Sequence, residues 1–307
     1  MSDLSSQWLP IGYRSRSATS VDVHAVHALV AACEHALHGC ASTGSDRIAA
    51  DLTLPGLELR SDTMLVHDSK GELVGWGWVK GRRATVHVHP DHRGRGLGSS
   101  LLTWSEARAG QLGGDRLAQT VSDNDDTAVA LLRSSGYSWL VTEWLLETSM
   151  AIEPEVPEPP EGITVRPFRP GYEQAAYVLT EDAFDEWQQR RKPYAEWARH
   201  TVARASFEAV ASPVAFAGDE MVGVVLSLDV PGTGEGYVER VAVRRDFRNR
   251  GIARMLLREA FRTFYRQGKG TCTLSTHSDT GALSLYERIG MTVRCSSTVY
   301  SKALVSG

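Results

Sequence analysis

The chain has 307 residues, 42% of them hydrophobic and 23% charged, with a formal net charge of −4. That length suits two ordinary domains, each with its own core, and the mild acidity argues against a nucleic-acid-binding surface. Cys33, Cys40, Cys272 and Cys295 show no metal or redox spacing, so free thiols in a reducing, cytoplasmic setting are expected. The opening residues lack a leader-length apolar run and no later stretch approaches spanning length, so no membrane partner is expected.

In chain order, residues 21–39 read as a helix, with Val23, Val26, Val30 and Leu37 among its apolar positions. It carries His24, His27, His35 and His38, but no carboxylate-rich cluster accompanies them and no metal is expected. Residues 58–66 and 72–79 read as strands around the Ser69-Lys70-Gly71 turn. Trp76 and Trp78 alternate onto one face there, as core or as the wall of an acyl site. A strand over 84–89 follows, in which His87 and His89 share a face with no nucleophile motif nearby. Next come a helix over 99–109, a strand over 117–121, a helix over 127–134 and terminal strands over 139–146.

Residues 151–162 carry four prolines and four glutamates, a composition that builds no core and favours an extended, semi-rigid spacer. This run reads as the boundary between a domain at 1–150 and another at 163–307. The second begins with Thr164-Val165-Arg166-Pro167 and a helix over about 174–184. A helical stretch over 186–207 then carries Trp187, Tyr194 and Trp197 among basic residues. Strands over 214–216 and 221–228 lead to a β-branched run ending at Val243. A fifth strand at 271–276, a helix at 280–288 and closing hairpin strands at 292–304 complete the half.

Between the strand ending at Val243 and a helix that stops near Gly268 lies Arg248-Asn249-Arg250-Gly251-Ile252-Ala253. Small residues there let backbone amides approach a ligand, and a helix start adds positive potential, so the turn suits a pyrophosphate. The pattern occurs twice. Arg93-Gly94-Arg95-Gly96-Leu97-Gly98 repeats it, and the run from Ala128 to Tyr137 parallels the run from Ala282 to Met291. Gly96 and Gly251 are 155 residues apart, and Gly136 and Gly290 are 154 apart. Two separated landmarks at nearly one displacement indicate a duplicated domain.

With those motifs the two halves resemble tandem domains of the GNAT N-acetyltransferase superfamily, whose pyrophosphate motif is Gln/Arg-x-x-Gly-x-Gly/Ala. Its later motif, Ala-x-x-x-Tyr-x-x-x-Gly-Phe, is met closely in the second half, with Met291 in place of the aromatic. The resemblance implies an α/β (α+β) fold class, each domain a mixed, mostly antiparallel sheet flanked by helices. It also implies acetyl-CoA as cofactor and coenzyme A as product. Cofactor would be held by Val241, Ala242, Val243, Arg248, Asn249, Arg250, Gly251, Ile252, Ala253 and Arg254. If the first copy also holds it, Val86, Val88, Arg93, Gly94, Arg95, Gly96, Leu97 and Gly98 would do the same.

Tyr286 matches the family tyrosine that protonates the departing thiolate, and a phenol is protonated at neutral pH. Strand alternation would put Tyr237, Glu239, Val241 and Val243 on one face, making Glu239 the candidate base, with Glu235 in reserve. Acceptor contacts would come from Trp187, Tyr194, Tyr237, His277 and Asp279.

At the matching places the first half has Arg82, Ala84 and Leu132, which implies a catalytically silent copy. Tandem domains with only the second competent resemble the arrangement of mycothiol synthase, although Tyr237 stands where that enzyme carries an acid. The expected reaction is acetyl transfer to a primary amine of a small molecule. Alternatives are mycothiol synthesis, acetylation of an antibiotic or aminoglycoside or of a protein, and non-catalytic acyl-CoA sensing. A monomer or homodimer is expected.

Overall fold

The computed structural model describes residues 9–39, 41, 43–185, 191–230 and 232–304. Two units emerge, and the proline-rich run is not where they part. One unit takes the described residues through Thr142 together with those from Ser297 onward, and the other is Glu143–Ser296.

The first unit contains β1 (Arg14–Arg16), α1 (Val23–His38), α2 (Ser45–Leu52), α3 (Leu59–Asp62), β2 (Thr63–His67), β3 (Leu73–Lys80) and β4 (Arg83–Val88). Then come α4 (Leu97–Gln111), β5 (Arg116–Ser122), α5 (Asp126–Ser134) and the start of β6 (Ser138–Ser149). The second unit takes the rest of β6, then β7 (Ile163–Pro167), α6 (Glu173–Phe184), α7 (Tyr194–His200), β8 (Pro213–Ala217), β9 (Glu220–Val230) and β10 (Glu235–Val243). It ends with α8 (Ile252–Arg266), β11 (Thr271–His277), α9 (Leu283–Arg288) and the start of β12 (Thr292–Ala303).

Each unit builds a mostly antiparallel sheet with a single parallel pair, β4 beside β5 and β10 beside β11. The closing strands are exchanged. Residues 297–303 of β12 pair with β5 in the first unit, and residues 143–149 of β6 pair with β11 in the second. A division at residue 150 therefore misassigns both strand ends. Nothing in β-propensity distinguishes one equally patterned partner from another.

In the second unit, α8 packs on one face of the sheet through Ile252, Met255, Leu256, Leu257, Ala260, Phe261 and Phe264, the i, i+3, i+4 stripe of an amphipathic helix. Burying side chains of this size contributes roughly 1.5–3 kcal/mol each. The opposite face carries α6 and α7, with Ala176, Leu179, Ala183 and Trp197 against Val214, Val224, Leu226 and Ala242. Trp76 of the first unit is buried against α1, with Trp78 beside that cluster, so both serve as core.

Three local readings change. Residues 59–62 form a helical turn instead of strand, because the Asp62 carboxylate accepts the Glu58 N–H at 2.8 Å and binds Arg108 at 2.7 Å. Residues 292–303 are one continuous strand, not a hairpin. The 151–162 run has no regular element, but it is held on the second unit by Glu153–Arg266 at 2.5 Å and by packing of Val156. No described helix is long and apolar enough to cross a membrane.

Candidate active site

The parallel pairing of β10 with β11 runs from Glu235–Thr271 to Val238–Leu274 and stops there, although both strands continue. At the same point β10 bulges. Its register with β9 jumps from Val238–Ser227 to Arg240–Leu226, leaving Glu239 as the extra residue. The bulge turns β10 away from β11 and opens a wedge between residues 239–243 and 275–277.

A one-residue bulge also inverts the side-chain alternation downstream. Val238 before it and Val241 and Val243 after it all pack with α8. Arg240 and Ala242 instead face α6. The expectation that Tyr237, Val241 and Val243 share a face is therefore wrong. Glu239 and Arg240, consecutive in sequence, both line the wedge.

The wedge widens into a cleft of about 740 Å³, bounded by Glu239–Val243, the turn before α8, the first turn of α8, residues 274–277 and Tyr286. The turn reaches α8 through two left-handed residues, Asn249 at φ 62° and Gly251 at φ 82°. Asn249 is the one non-glycine with positive φ among the described residues. No side chain caps Gly251, so the first-turn N–H groups of α8 lack intrahelical partners where the helix lines the cleft. That is an anion site supplied by the backbone.

The arginines divide. Arg248 donates to the carbonyls of Val243 and Ala183, each at 3.3 Å, and so braces the turn. Arg250 donates to the Asp246 carbonyl at 2.9 Å, lies over the Phe247 ring and stands off the cleft lining. Arg254 and Arg288 line the cleft, and neither forms an ion pair among the described residues. Arg288 escaped the sequence reading although it lies only two positions beyond Tyr286. With apolar walls from Val241, Ile252 and Leu285, an open helix start and two unengaged cations, the cleft fits an elongated anionic thioester.

Tyr286 is 8% exposed; its ring packs with α8 and also lines the cleft. Burial, with Tyr237 adding to it, pushes the phenol up to about 12, so it stays a proton donor through the neutral range. Burial also raises the Glu239 carboxyl, against the opposing pull of Arg240, Arg204, His200 and Lys192. Arg204 is the near ion-pair partner at 3.9 Å.

The acceptor candidates fare differently. His277 lines the cleft, and its buried Nδ1 has no hydrogen-bond partner among the described residues. Tyr237, whose phenol is raised by burial, stands back from the lining. Tyr194 stacks on Trp197, with ring centroids 6.0 Å apart, outside the lining. Asp279 is exposed in the turn after β11 and also lies off the lining. Trp187 lies outside the described residues.

The first unit keeps the turn but engages it internally. Gly94 and Gly96 are left-handed at φ 73° and 85°, as the motif requires. Arg93, however, binds Asp125 at 3.2 Å. A Pro10 side-chain carbon lies 3.4 Å from where a Gly96 Cβ would be, and Leu131 lies 3.0 Å from that of Gly98. Tyr13 Oη and His92 Nδ1 are 3.0 Å apart, and the Cys33 thiol donates to the Val88 carbonyl at 3.3 Å. Arg95 is exposed, Leu97 is core and Val86 is half-buried.

The wedge opened by the bulge beside a parallel strand, leading to an uncapped helix start, is a site for an anionic ligand, and the family match makes the class an acyltransferase. The chain belongs to the acetyltransferase (GNAT) family, whose model matches residues 29–137 and again residues 173–291. An acyl-CoA is the donor of such an enzyme. A mycothiol acetyltransferase of Kineococcus radiotolerans is 31% identical over 246 residues, 77% of this chain and 78% of that one. Another, of Catenulispora acidiphila, is 26% identical over 243 residues, 75% of this chain and 77% of the other. Among solved structures, a GCN5-related N-acetyltransferase from Sphaerobacter thermophilus superposes with a TM-score of 0.80 at 29% identity, covering 97% of this chain and 98% of its own. A tandem GNAT protein from the clavulanic acid biosynthesis pathway shares the fold, with a TM-score of 0.70 at 15% identity over 96% of this chain and 99% of that one.

Proposed function

We propose that the second unit is the catalytic half and that it moves an acetyl group from acetyl-CoA to a primary amine of a small molecule. The observation that carries this is the convergence of Glu239, Tyr286 and the open start of α8 on one cleft. Bound there, the donor supplies an activated thioester carbonyl. The amides of Ile252, Ala253 and Arg254 take up its diphosphate, with Arg254 and Arg288 adding charge. The β10 edge past the bulge has no strand partner toward β11, and the Val241 amide is suited to the carbonyl oxygen.

Glu239 removes a proton from the acceptor nitrogen as the C–N bond forms, directly or through a water. Tyr286 gives its hydroxyl proton to the sulfur as the C–S bond breaks, and the proton taken by Glu239 returns the pair to its starting state through solvent. A raised carboxyl and a neutral phenol both suit these roles, since a better base and a retained donor result.

The first unit is proposed to be silent. Leu132 and Ala84 occupy the places of Tyr286 and Glu239, and the turn's Arg93 is paired with Asp125.

A second reading follows from the relatives named mycothiol acetyltransferase, namely a mycothiol precursor as acceptor. Thiol release from acetyl-CoA, measured with amino sugars, aminoglycosides, polyamines, amino acids, peptides and that precursor, tests both readings. Release that depends on an amine and is lost in Tyr286→Phe supports acetyl transfer. Tight donor binding with no release for any amine would overturn it.

A further inference from the structure

The acceptor end of the cleft carries an arrangement that an amine alone does not require. The bulge places consecutive side chains, Glu239 and Arg240, on the same cleft, one able to receive a proton and the other permanently cationic. Lys192 lines the same end, and Glu239 is the one acid among the described lining residues.

Arg240 is held without being used up. Its side chain is 12% exposed and its guanidinium lies over the Phe184 ring, 5.6 Å from the centroid. The neighbouring carboxylate is Glu181, fully buried, with Oε1 4.0 Å from Arg240 Nη1. That distance gives Coulombic support without a hydrogen bond. Among the described residues Arg240 Nε and Glu181 Oε1 have no hydrogen-bond partner, while the other Glu181 oxygen accepts the Lys192 backbone N–H at 2.8 Å. By contrast Arg294 and Arg244 are closed onto carboxylates at 2.5–2.8 Å. Arg240 lines the cleft with part of its side chain exposed, so the exposed part of its guanidinium can meet a ligand there.

We propose that the acceptor carries its own carboxylate a few bonds from the amine. Arg240 binds that carboxylate with Lys192 in support, while the adjacent Glu239 faces the nitrogen. A planar guanidinium matches a carboxylate in two parallel hydrogen bonds; a phosphate fits the same fork, so the test includes a phosphate-bearing amine. The same cations disfavour polyamines and aminoglycosides, whose extra positive charges would face Arg240, Lys192 and the nearby Arg204 and His200. On transfer the nitrogen loses one proton and becomes an amide, and the carboxylate is unchanged. This assignment rests on the acetyltransferase reading of the second unit.

The test is thiol release from acetyl-CoA by the full chain with matched pairs: amino acids and their amides, and O-phosphoethanolamine and ethanolamine. The acids should exceed their amides by about 10- to 100-fold in kcat/KM, the scale of a lost hydrogen bond to a charged group. Arg240→Lys keeps a charge opposite Glu181 but loses the planar fork. It and Lys192→Met should each raise KM for the acids and shrink the acid-to-amide ratio, with KM for acetyl-CoA unmoved. Amides turned over as fast as acids, a ratio unchanged in Arg240→Lys, or a preference confined to phosphate would overturn the proposal while leaving acetyl transfer standing. No release with any member of these pairs would also overturn the proposal, whereas the acetyltransferase reading falls only if the wider amine panel gives no release either.

Discussion

Asn249 holds in the second unit the left-handed backbone that Gly94 holds in the first, at φ 62° and 73°. Asparagine tolerates this region better than other residues with a Cβ, yet it still pays a steric cost that glycine avoids. Asn249→Ala should therefore lower stability by about 1 kcal/mol and weaken coenzyme A binding, while Asn249→Gly should match or exceed the wild type in a thermal melt. Equal melting temperatures for all three would show that the turn is not fixed by this residue.

Tyr286→Phe keeps the ring in its α8 packing and removes only the hydroxyl. We expect kcat to fall by about 10²- to 10⁴-fold, the range of a lost general acid, with little change in KM for acetyl-CoA. Because the phenol is pushed up to about 12, its loss of a proton should leave no descending limb in the rate profile below about that pH.

Glu239 acts as a base only when ionised, and burial raises its carboxyl. The rate should therefore climb with pH as the proton leaves, with a midpoint above the ordinary carboxylate range. Glu239→Gln should abolish this ascending limb and lower kcat/KM by about 10²- to 10⁴-fold. An unchanged limb in that variant would assign the base to another group.

Gly236 sits where β10 passes under α8, and an added Cβ would meet the Phe264 ring at 2.5 Å. Phe264 is fully buried and has no free volume to enter. Gly236→Ala should cost about 1–3 kcal/mol, read as a lower denaturation midpoint.

Occupancy separates the two copies. Calorimetric titration of the full chain with acetyl-CoA should give one equivalent, since Arg93 is engaged by Asp125 and Pro10 lies against Gly96. Two equivalents of similar affinity would show that the first turn opens to ligand.

The duplication, both glycine turns and Tyr286 were legible because each depends on a short local signal: a left-handed residue, a helix start, or an aromatic at fixed spacing. Glu239 was legible as a residue but not its neighbourhood. The bulge at that position has no composition signature, and it carried Val241 and Val243 to the face opposite Tyr237 while bringing Arg240 onto the cleft. Arg248 and Arg250 carry the charge that the motif suggests, but whether a guanidinium meets a ligand or a carbonyl depends on tertiary neighbours such as Ala183. Arg288 and Lys192 reach the cleft through folding alone.

The traded strand ends make the two ancestral copies interdependent at the level of the gene. A fragment cut at residue 150 would lack residues 297–303 beside β5, leaving that edge bare, and would carry off residues 143–149, the neighbours of β11. Each severed half would then present an unsatisfied backbone ladder, an invitation to self-association. Deleting either copy at that point would thus strip a strand from the sheet of the other, so the two copies are held together by architecture whatever chemistry each performs.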